Sequence, residues 1–284
     1  MTVPEARAMG FKALTGMTDT AALDCRILLC HVLKMTQSEL LLSTRQLSAE
    51  EEKCFEGLLK KRAEGFSVAV VIGHKEFFGR DFIVNDKVLV PRPETEILVE
   101  RVINEFKDRH QNPLKALDIC TGSGCIGITV LAELEQIGID CEMILSDVCE
   151  QALGIAEDNC RQIIENRSKC ILSDVFEAFD GRRFNLITAN PPYIAPAMKD
   201  SLATEVLHEP ELALFADDGG LALIRRIISE SPKHLSNGGL LILECGYDQA
   251  DETRKLMDES GFASSFILKD LAGLPRCVGG YANA

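Results

Sequence analysis

Asn190, Pro191, Pro192 and Tyr193 stand together directly after the apolar run Phe184–Ala189. That run reads as a buried strand, which puts the four residues at a strand's C-terminal end, the edge where open α/β sheets bind ligands. An asparagine side chain offers an amide carbonyl and an NH2 group. Two consecutive prolines fix the backbone and remove two N–H donors that would compete for nearby carbonyls. Tyr193 adds a flat ring with a polar tip. Two acceptors and a ring face can hold a planar NH2 group. An amide-like nitrogen has a delocalised lone pair, so it must be pinned and polarised before it can be alkylated. Taken alone, the same four residues are equally a turn that closes a strand, with Asn as a local turn former.

A glycine loop supplies the second constellation. Asp118-Ile119-Cys120-Thr121-Gly122-Ser123-Gly124-Cys125-Ile126-Gly127 contains G-x-G-x-x-G, and Asp147, followed by Val148, lies about 20 residues further on. Glycines admit a ligand close to the backbone, and an acidic residue at the second strand's end can bind ribose hydroxyls. These features suit a nicotinamide dinucleotide and S-adenosylmethionine alike. Asp118 is placed to meet the methionyl end of S-adenosylmethionine. Asp174 and Val175, beside Phe176, offer an acidic and an apolar group for an adenine ring. Hydride transfer has no use for an amide-holding clamp at the fourth strand's end, whereas methylation of an NH2 group does. The balance therefore favours S-adenosylmethionine, with Asn190 bordering both methyl donor and acceptor.

The elements that must carry these residues are legible as periods. Residues 1–74 read as helical: Leu23, Ile27, Leu28 and Leu33 recur at helical spacing, and Ser48-Ala49-Glu50-Glu51 is a capping box whose helix Gly65 closes. Residues 75–95 read as a β-hairpin linker, with Phe77–Val84 and Lys87–Val90 as strands around a turn at Asn85-Asp86. Pro91-Arg92-Pro93 stiffens its exit, and Glu94-Thr95-Glu96 opens the next helix with acidic side chains that suit the dipole. From Leu114 onward, helical stretches separate the strand candidates Ala116–Cys120, Met143–Asp147, Cys170–Ser173, Asn185–Ala189 and Leu240–Glu244. That alternation predicts a mostly parallel sheet with helices on both faces.

Composition narrows the classes. In 284 residues, the first 74 hold nine acidic and nine basic side chains, so the remaining 35 acidic and 21 basic residues carry the net −14. Such a balance argues against gripping duplex nucleic acid. The basic run Lys60-Lys61-Arg62 reads as a solvated helix end. No signal-peptide pattern and no apolar run of about 20 residues is present. Eleven scattered cysteines without a C-x-x-C pair read as reduced thiols, hence a cytoplasmic setting, and the five histidines do not cluster with them at metal-ligand spacing. With no sustained heptad, a monomer is expected.

The chain resembles the PrmC (HemK) family, the release factor glutamine methyltransferases. The resemblance is carried by Gly73–Gly79, Val90–Glu96, the Gly122/Gly124 loop, Asp147, Asn190–Ile194, His208–Leu214, Asp218–Leu221, Gly238–Glu244 and Lys269–Gly273. Asn-Pro-Pro-Tyr recurs among many amino-methyltransferases; the Pro-Arg-Pro-Glu-Thr-Glu and Asp-Leu-Ala-Gly segments are more particular. The resemblance implies a Rossmann-like seven-stranded class I methyltransferase domain (96–284) behind a small helical domain (1–74); the residues alone favour a packing role for that helical unit, and substrate recognition is its other expected role. It implies the glutamine of the Gly-Gly-Gln loop in class I release factors as substrate. By carry-over, Cys120, Thr121, Gly122, Ser123 and Gly124 line the methionyl moiety, Asp147 the ribose and Val175 the adenine, while Asn190, Pro191, Pro192 and Tyr193 hold the glutamine.

Two positions depart from the family pattern: Cys120 stands where Gly is usual, and Val175 where an aromatic is common. Cys120 is expected to make the same backbone contacts from a negative φ. Arg92 and Glu94 are candidates to touch substrate or cofactor, or to anchor the linker. His208, Glu209 and Glu211 read as an exposed charged loop. Three rivals remain: methylation of a ribosomal-protein glutamine, of adenine in DNA, and a non-catalytic binding module. The acidic charge argues against DNA, and the intact clamp and glycine loop argue against decay.

Overall fold

The computed structural model describes residues 1–108 and 113–283, which fall into two compact units. Met1–His74 with Leu202–His208 form one, and Lys75–Ser201 with the chain from Glu209 onward form the other. The first is helical: α1 (Val3–Leu14), α2 (Ala21–Leu33), α3 (Gln37–Leu42), α4 (Ala49–Ala63) and α5 (Val68–Ile72). Thr2, Thr36 and Ser48 each close a capping box with the glutamate three residues on. Each box satisfies two backbone donors that the first turn would leave orphaned. Val3, Leu14, Leu28, Leu29, Leu40 and Phe55 fill the core.

The basic run at the end of α4 is not wholly solvated, as the sequence had suggested. Arg62 is 2% exposed; its Nε donates to Asp24 Oδ2 at 2.7 Å and its Nη2 to Glu205. A guanidinium can be buried only against such partners. Glu205 belongs to Leu202–His208, a segment that follows the Asn190 loop in sequence yet packs in the helical unit. Phe66 meets the His208 ring there, with centroids 4.6 Å apart.

The second unit starts at Lys75, within β1 (His74–Phe77), and continues into β2 (Arg80–Ile83), the two strands joined by Phe78 and Gly79 at φ 51° and 73°. Two consecutive positive φ values are the signature of a tight hairpin turn. The hairpin is thus shorter than expected, turning at residues 78–79, and Lys87–Val90 forms no strand. Beyond β2 the backbone finds other partners: the Asn159 side chain accepts from Ile83 N–H and donates to its carbonyl. Val84, Val88 and Val90 are then buried one by one along an irregular path.

There follow α6 (Glu96–Phe106), β3 (Leu114–Ile119), α7 (Cys125–Gln136), β4 (Cys141–Asp147), α8 (Glu150–Ile164), β5 (Lys169–Leu172) and β6 (Phe184–Ala189). The chain closes with α9 (Glu211–Leu214), α10 (Ala222–Glu230), β7 (Leu235–Glu244), α11 (Ala250–Glu259), β8 (Ala263–Lys269) and β9 (Pro275–Tyr281). Seven strands form one sheet in the order β5-β4-β3-β6-β7-β9-β8, and β9 runs antiparallel to both its neighbours. Alternate residues of β3 serve opposite faces. Leu114 and Ala116 join one hydrophobic layer, Leu117 and Ile119 the other. Each large apolar side chain so buried stabilises the fold by ~1.5–3 kcal/mol. From β3 the sheet grows outward to β5 on one side and to β7 on the other, which makes the β3/β6 edge the topological switch point. Both constellations found in the sequence lie at that edge.

Candidate functional site

A cavity of about 550 Å³ opens at this edge. Cys120, Thr121, Gly122 and Ser123 line it from the loop after β3, Asp147 and Val148 from the end of β4, and Asp174 from the loop after β5. Asn190, Pro192 and Arg92 complete the expected residues on its wall. Asp118, Gly124, Val175, Pro191, Tyr193 and Glu94 are outside the lining, each for a physical reason where the structure shows one.

Asp118 is fully buried and serves the loop rather than a ligand. Its Oδ2 accepts from Thr121 Oγ1 at 2.5 Å and from Gly127 N–H at 3.2 Å, and its Oδ1 from Thr188 Oγ1 at 2.7 Å. One carboxylate thereby ties the glycine loop, the first turn of α7 and β6. Burial pushes it up to about 6, against the three hydrogen bonds that favour its charged form. The sign of the consequence follows from proton counts. Between pH 3.8 and 6 the folded chain binds more protons at Asp118 than the unfolded chain, so this carboxylate's contribution to stability falls as pH rises through that window. We expect the stability advantage of the native chain over Asp118→Asn to shrink by ~3 kcal/mol between pH 3.5 and pH 7. Urea denaturation of both proteins across that range measures it; a pH-independent difference would count against the assignment.

The glycine loop divides its labour. Gly122, at φ 54°, lines the cavity and leaves open space where a Cβ would stand. Gly124 turns the chain into α7 instead of facing the cavity. A Cβ at Gly127 would stand 2.2 Å from Leu145 Cδ2, so its absence lets α7 press on the sheet. Cys120 departs from expectation: its φ is +55°, not negative. The tight exit from β3 demands a left-handed residue there, which a glycine adopts without strain and a cysteine does not. Burial raises the Cys120 thiol well above its ordinary value, with Asp147 adding to the shift.

Asp147 keeps both oxygens aimed at the loop mouth. Oδ2 accepts from Gly122 N–H and Oδ1 from Cys149 N–H, each at 2.9 Å, which leaves further lone pairs on both oxygens. Asp174 is already paired: Arg226 Nη1 donates to its Oδ1 at 2.7 Å, and Arg226 lines the cavity with Leu223 from the same face of α10. Val175 is 4% exposed and packs in the core beneath, again at a left-handed φ of 51°. Val175 thus offers the cavity no surface, and Leu223 is among the apolar residues that line it.

The Asn190 loop is pinned except at one atom. Ile194 N–H donates to Leu214 O at 2.9 Å and Ala216 N–H to Ile194 O at 3.0 Å. Tyr193 donates its hydroxyl to Glu244 Oε1 at 3.0 Å, and Thr95 Oγ1 reaches Glu244 Oε2 at 2.6 Å. Burial, joined by the neighbouring Glu244, raises the Tyr193 phenol far above its usual value, and burial raises Glu244 as well. By contrast, Asn190 lines the cavity while its Oδ1 is buried with no hydrogen-bond partner among the described residues. A buried amide oxygen left bare costs on the order of 1–3 kcal/mol, so a ligand donor that met it would relieve the cost.

Sequence reasoning missed several residues. Glu209 is 4% exposed rather than part of a solvated loop, because Arg92 Nη2 donates to its Oε1 at 2.7 Å. Glu94 is exposed, and Thr95 beside it is the buried partner of Glu244. Lys87, Val88, Leu89 and Pro91, read as strand and exit, line the cavity. The one signal that pointed to Glu244 was its place at the end of an apolar run.

The donor set fits S-adenosylmethionine. It offers an uncovered glycine backbone beside a carboxylate with spare lone pairs, an acidic residue near apolar surface, and an asparagine on the wall whose amide oxygen is unpartnered. Comparison with known proteins agrees. The PrmC N-terminal domain family matches residues 5–73, and the methyltransferase small domain family matches residues 93–225. A release factor glutamine methyltransferase of Coxiella burnetii is 35% identical, covering 98% of this chain and 98% of that protein. A bifunctional methyltransferase of Rickettsia prowazekii is 36% identical over 90% of this chain; the chain spans about half of that protein's length, 52%. Among solved structures, a methyltransferase from Pyrococcus furiosus superposes with a TM-score of 0.52 at 16% identity, covering 74% of this chain and 92% of that one. That likeness speaks to the fold.

Proposed function

The chain belongs to the release factor glutamine methyltransferase family, and on that premise we propose that it methylates the side-chain amide nitrogen of the glutamine in the Gly-Gly-Gln motif of class I peptide chain release factors. S-adenosylmethionine, when bound, supplies a methyl group already activated on a sulfonium. The chain's own residues therefore position and polarise; no protein nucleophile is needed. Cys120–Ser123 hold the methionyl moiety by backbone, Asp147 takes the ribose hydroxyls, and Asp174 with Leu223 faces the adenine. On this reading Asn190 Oδ1 and the Pro191 carbonyl accept the two hydrogens of the substrate amide and the Tyr193 ring packs on its plane, although of the three only Asn190 lines the cavity in this structure. Holding both hydrogens localises electron density on the nitrogen. The proton becomes acidic only once the methyl is in place, so no strong base is required.

The observation that carries this reading is Asn190 on the cavity wall, with its buried Oδ1 lacking a hydrogen-bond partner among the described residues. Residues 1–74 serve as the substrate-recognition domain and residues 75–95 as the linker. The protein works in the cytoplasm as a monomer on a protein substrate. Its net charge of −14 disfavours DNA, and no helix among the described residues is long and apolar enough to cross a membrane.

The test is methyl transfer from labelled S-adenosylmethionine to a purified class I release factor, a ribosomal protein and duplex DNA in parallel. Label on the release factor alone is expected. Label on either other substrate would keep the clamp chemistry and overturn the substrate. Cofactor binding without any transfer would favour a non-catalytic module.

A further inference from the structure

Tyr193 is held at both ends by one short connection, the turn from β7 into α11. Glu244, the last residue of β7, accepts the phenol hydrogen at 3.0 Å, while Gln249 Nε2 donates to the Tyr193 carbonyl at 2.8 Å. Gln249 is itself oriented: Nε2 also donates to Gly219 O at 3.0 Å, and Oε1 accepts from Gly246 N–H at 2.8 Å. Three of the amide's four hydrogen-bonding positions are thus committed, which fixes which way its NH2 points. Glu244 is fixed by Thr95 on its other oxygen. Neither Glu244 nor Gln249 lines the cavity, and each acts on the clamp through its hydrogen bond to Tyr193.

We propose that Gln249 and Glu244 are the positioning residues of the amide clamp, an inference that rests on the clamp reading of Asn190–Tyr193. Pro191 and Pro192 leave little torsional slack between Asn190 and Tyr193, because each ring locks its own φ. A shift of Tyr193 is therefore passed back to the Pro191 carbonyl and to Asn190. Gln249 sets the direction of the Tyr193 peptide, and Glu244 sets the ring. Removing either hydrogen bond leaves the cavity wall intact but lets the clamp drift from the geometry that holds both amide hydrogens.

The chain has three tyrosines, so ring-labelled tyrosine in the full-length protein gives three resolvable NMR signals, with Tyr193→Phe identifying its own. Gln249→Ala and Glu244→Gln are expected to move the Tyr193 signal and leave that of Tyr281 in place. Gln249→Glu, which keeps the shape but lacks the donor, is expected to act like Gln249→Ala. In all three variants kcat on release factor falls about 10- to 100-fold, with S-adenosylmethionine affinity and melting temperature nearly unchanged. An unmoved Tyr193 signal would overturn the inference. So would losses of cofactor affinity and melting temperature that track the loss of kcat, since those mark a merely structural role. If the unaltered chain transfers no methyl to release factor, the functional reading fails, and the tyrosine signal alone decides the positioning claim.

Discussion

Asn190→Ala is expected to lower methyl transfer by about 10²–10³-fold, the loss typical when one preorganised polar group is removed from a reacting centre. S-adenosylmethionine binding should survive. The reason lies in the division of the site. The cofactor's expected contacts come mainly from the loops after β3, β4 and β5 with Leu223 of α10, so Asn190, which follows β6 and borders only the methyl donor, is one contact among many. Its Oδ1 makes no hydrogen bond among the described residues, so deleting the side chain breaks no internal contact of that oxygen. What is lost is an acceptor for one amide hydrogen of the substrate, and with it both the grip and the polarisation of the nitrogen. Isothermal titration with the cofactor, beside single-turnover transfer, separates the two effects. Unchanged transfer would remove Asn190 from the mechanism, and a parallel collapse of cofactor binding would reassign it to the cofactor.

Gly220→Ala should do comparable damage by a different route. A Cβ there would lie 2.0 Å from the Tyr193 carbonyl oxygen and 2.6 Å from Gln249 Nε2, and the residue sits at φ 91°. The clash falls on backbone, which cannot swing aside as the end of a flexible side chain can. Two terms add: the strain of placing an alanine in left-handed backbone, and the displacement of the loop that carries the clamp. We expect a stability loss of ~2–4 kcal/mol and, in the protein that still folds, a turnover loss of about 100-fold. Thermal unfolding and kcat at a temperature well below the transition measure both. A variant with native melting and native turnover would show that the loop tolerates displacement.

Much of the scaffold was legible because its signals are local. The capping box at Ser48 marks the start of α4, and apolar runs between helical stretches mark five strands of the sheet. The clamp and the glycine loop could be found for the same reason, since their residues are neighbours in sequence. What escaped depends on partners far along the chain. Glu244 meets Tyr193 across 51 positions, and Arg92 meets Glu209 across 117. No spacing rule announces such pairs, so Glu209 read as an exposed loop residue and Arg62 as a solvated one. β8 escaped because its burial is partial, and β9 because Gly279-Gly280 interrupts its apolar run.

Asp118 and Cys120 illustrate a subtler limit. Residue type suggested that a carboxylate at a strand end faces the ligand, but at this position the glycine loop needs internal acceptors more than the cavity needs charge. Residue type also suggested an ordinary φ for a cysteine. The turn instead imposes a left-handed one, as it does at Val175, a β-branched residue for which that conformation is rare. Backbone demand from the surrounding fold overrode side-chain preference at both places.

The most direct test of the amide clamp is peptide mapping by mass spectrometry of a class I release factor after reaction with the protein and S-adenosylmethionine. The expected result is one added methyl group on the side-chain nitrogen of the Gly-Gly-Gln glutamine, absent when the reaction is run with Asn190→Ala. A methyl group on any other residue, or undiminished modification by Asn190→Ala, would contradict the assignment.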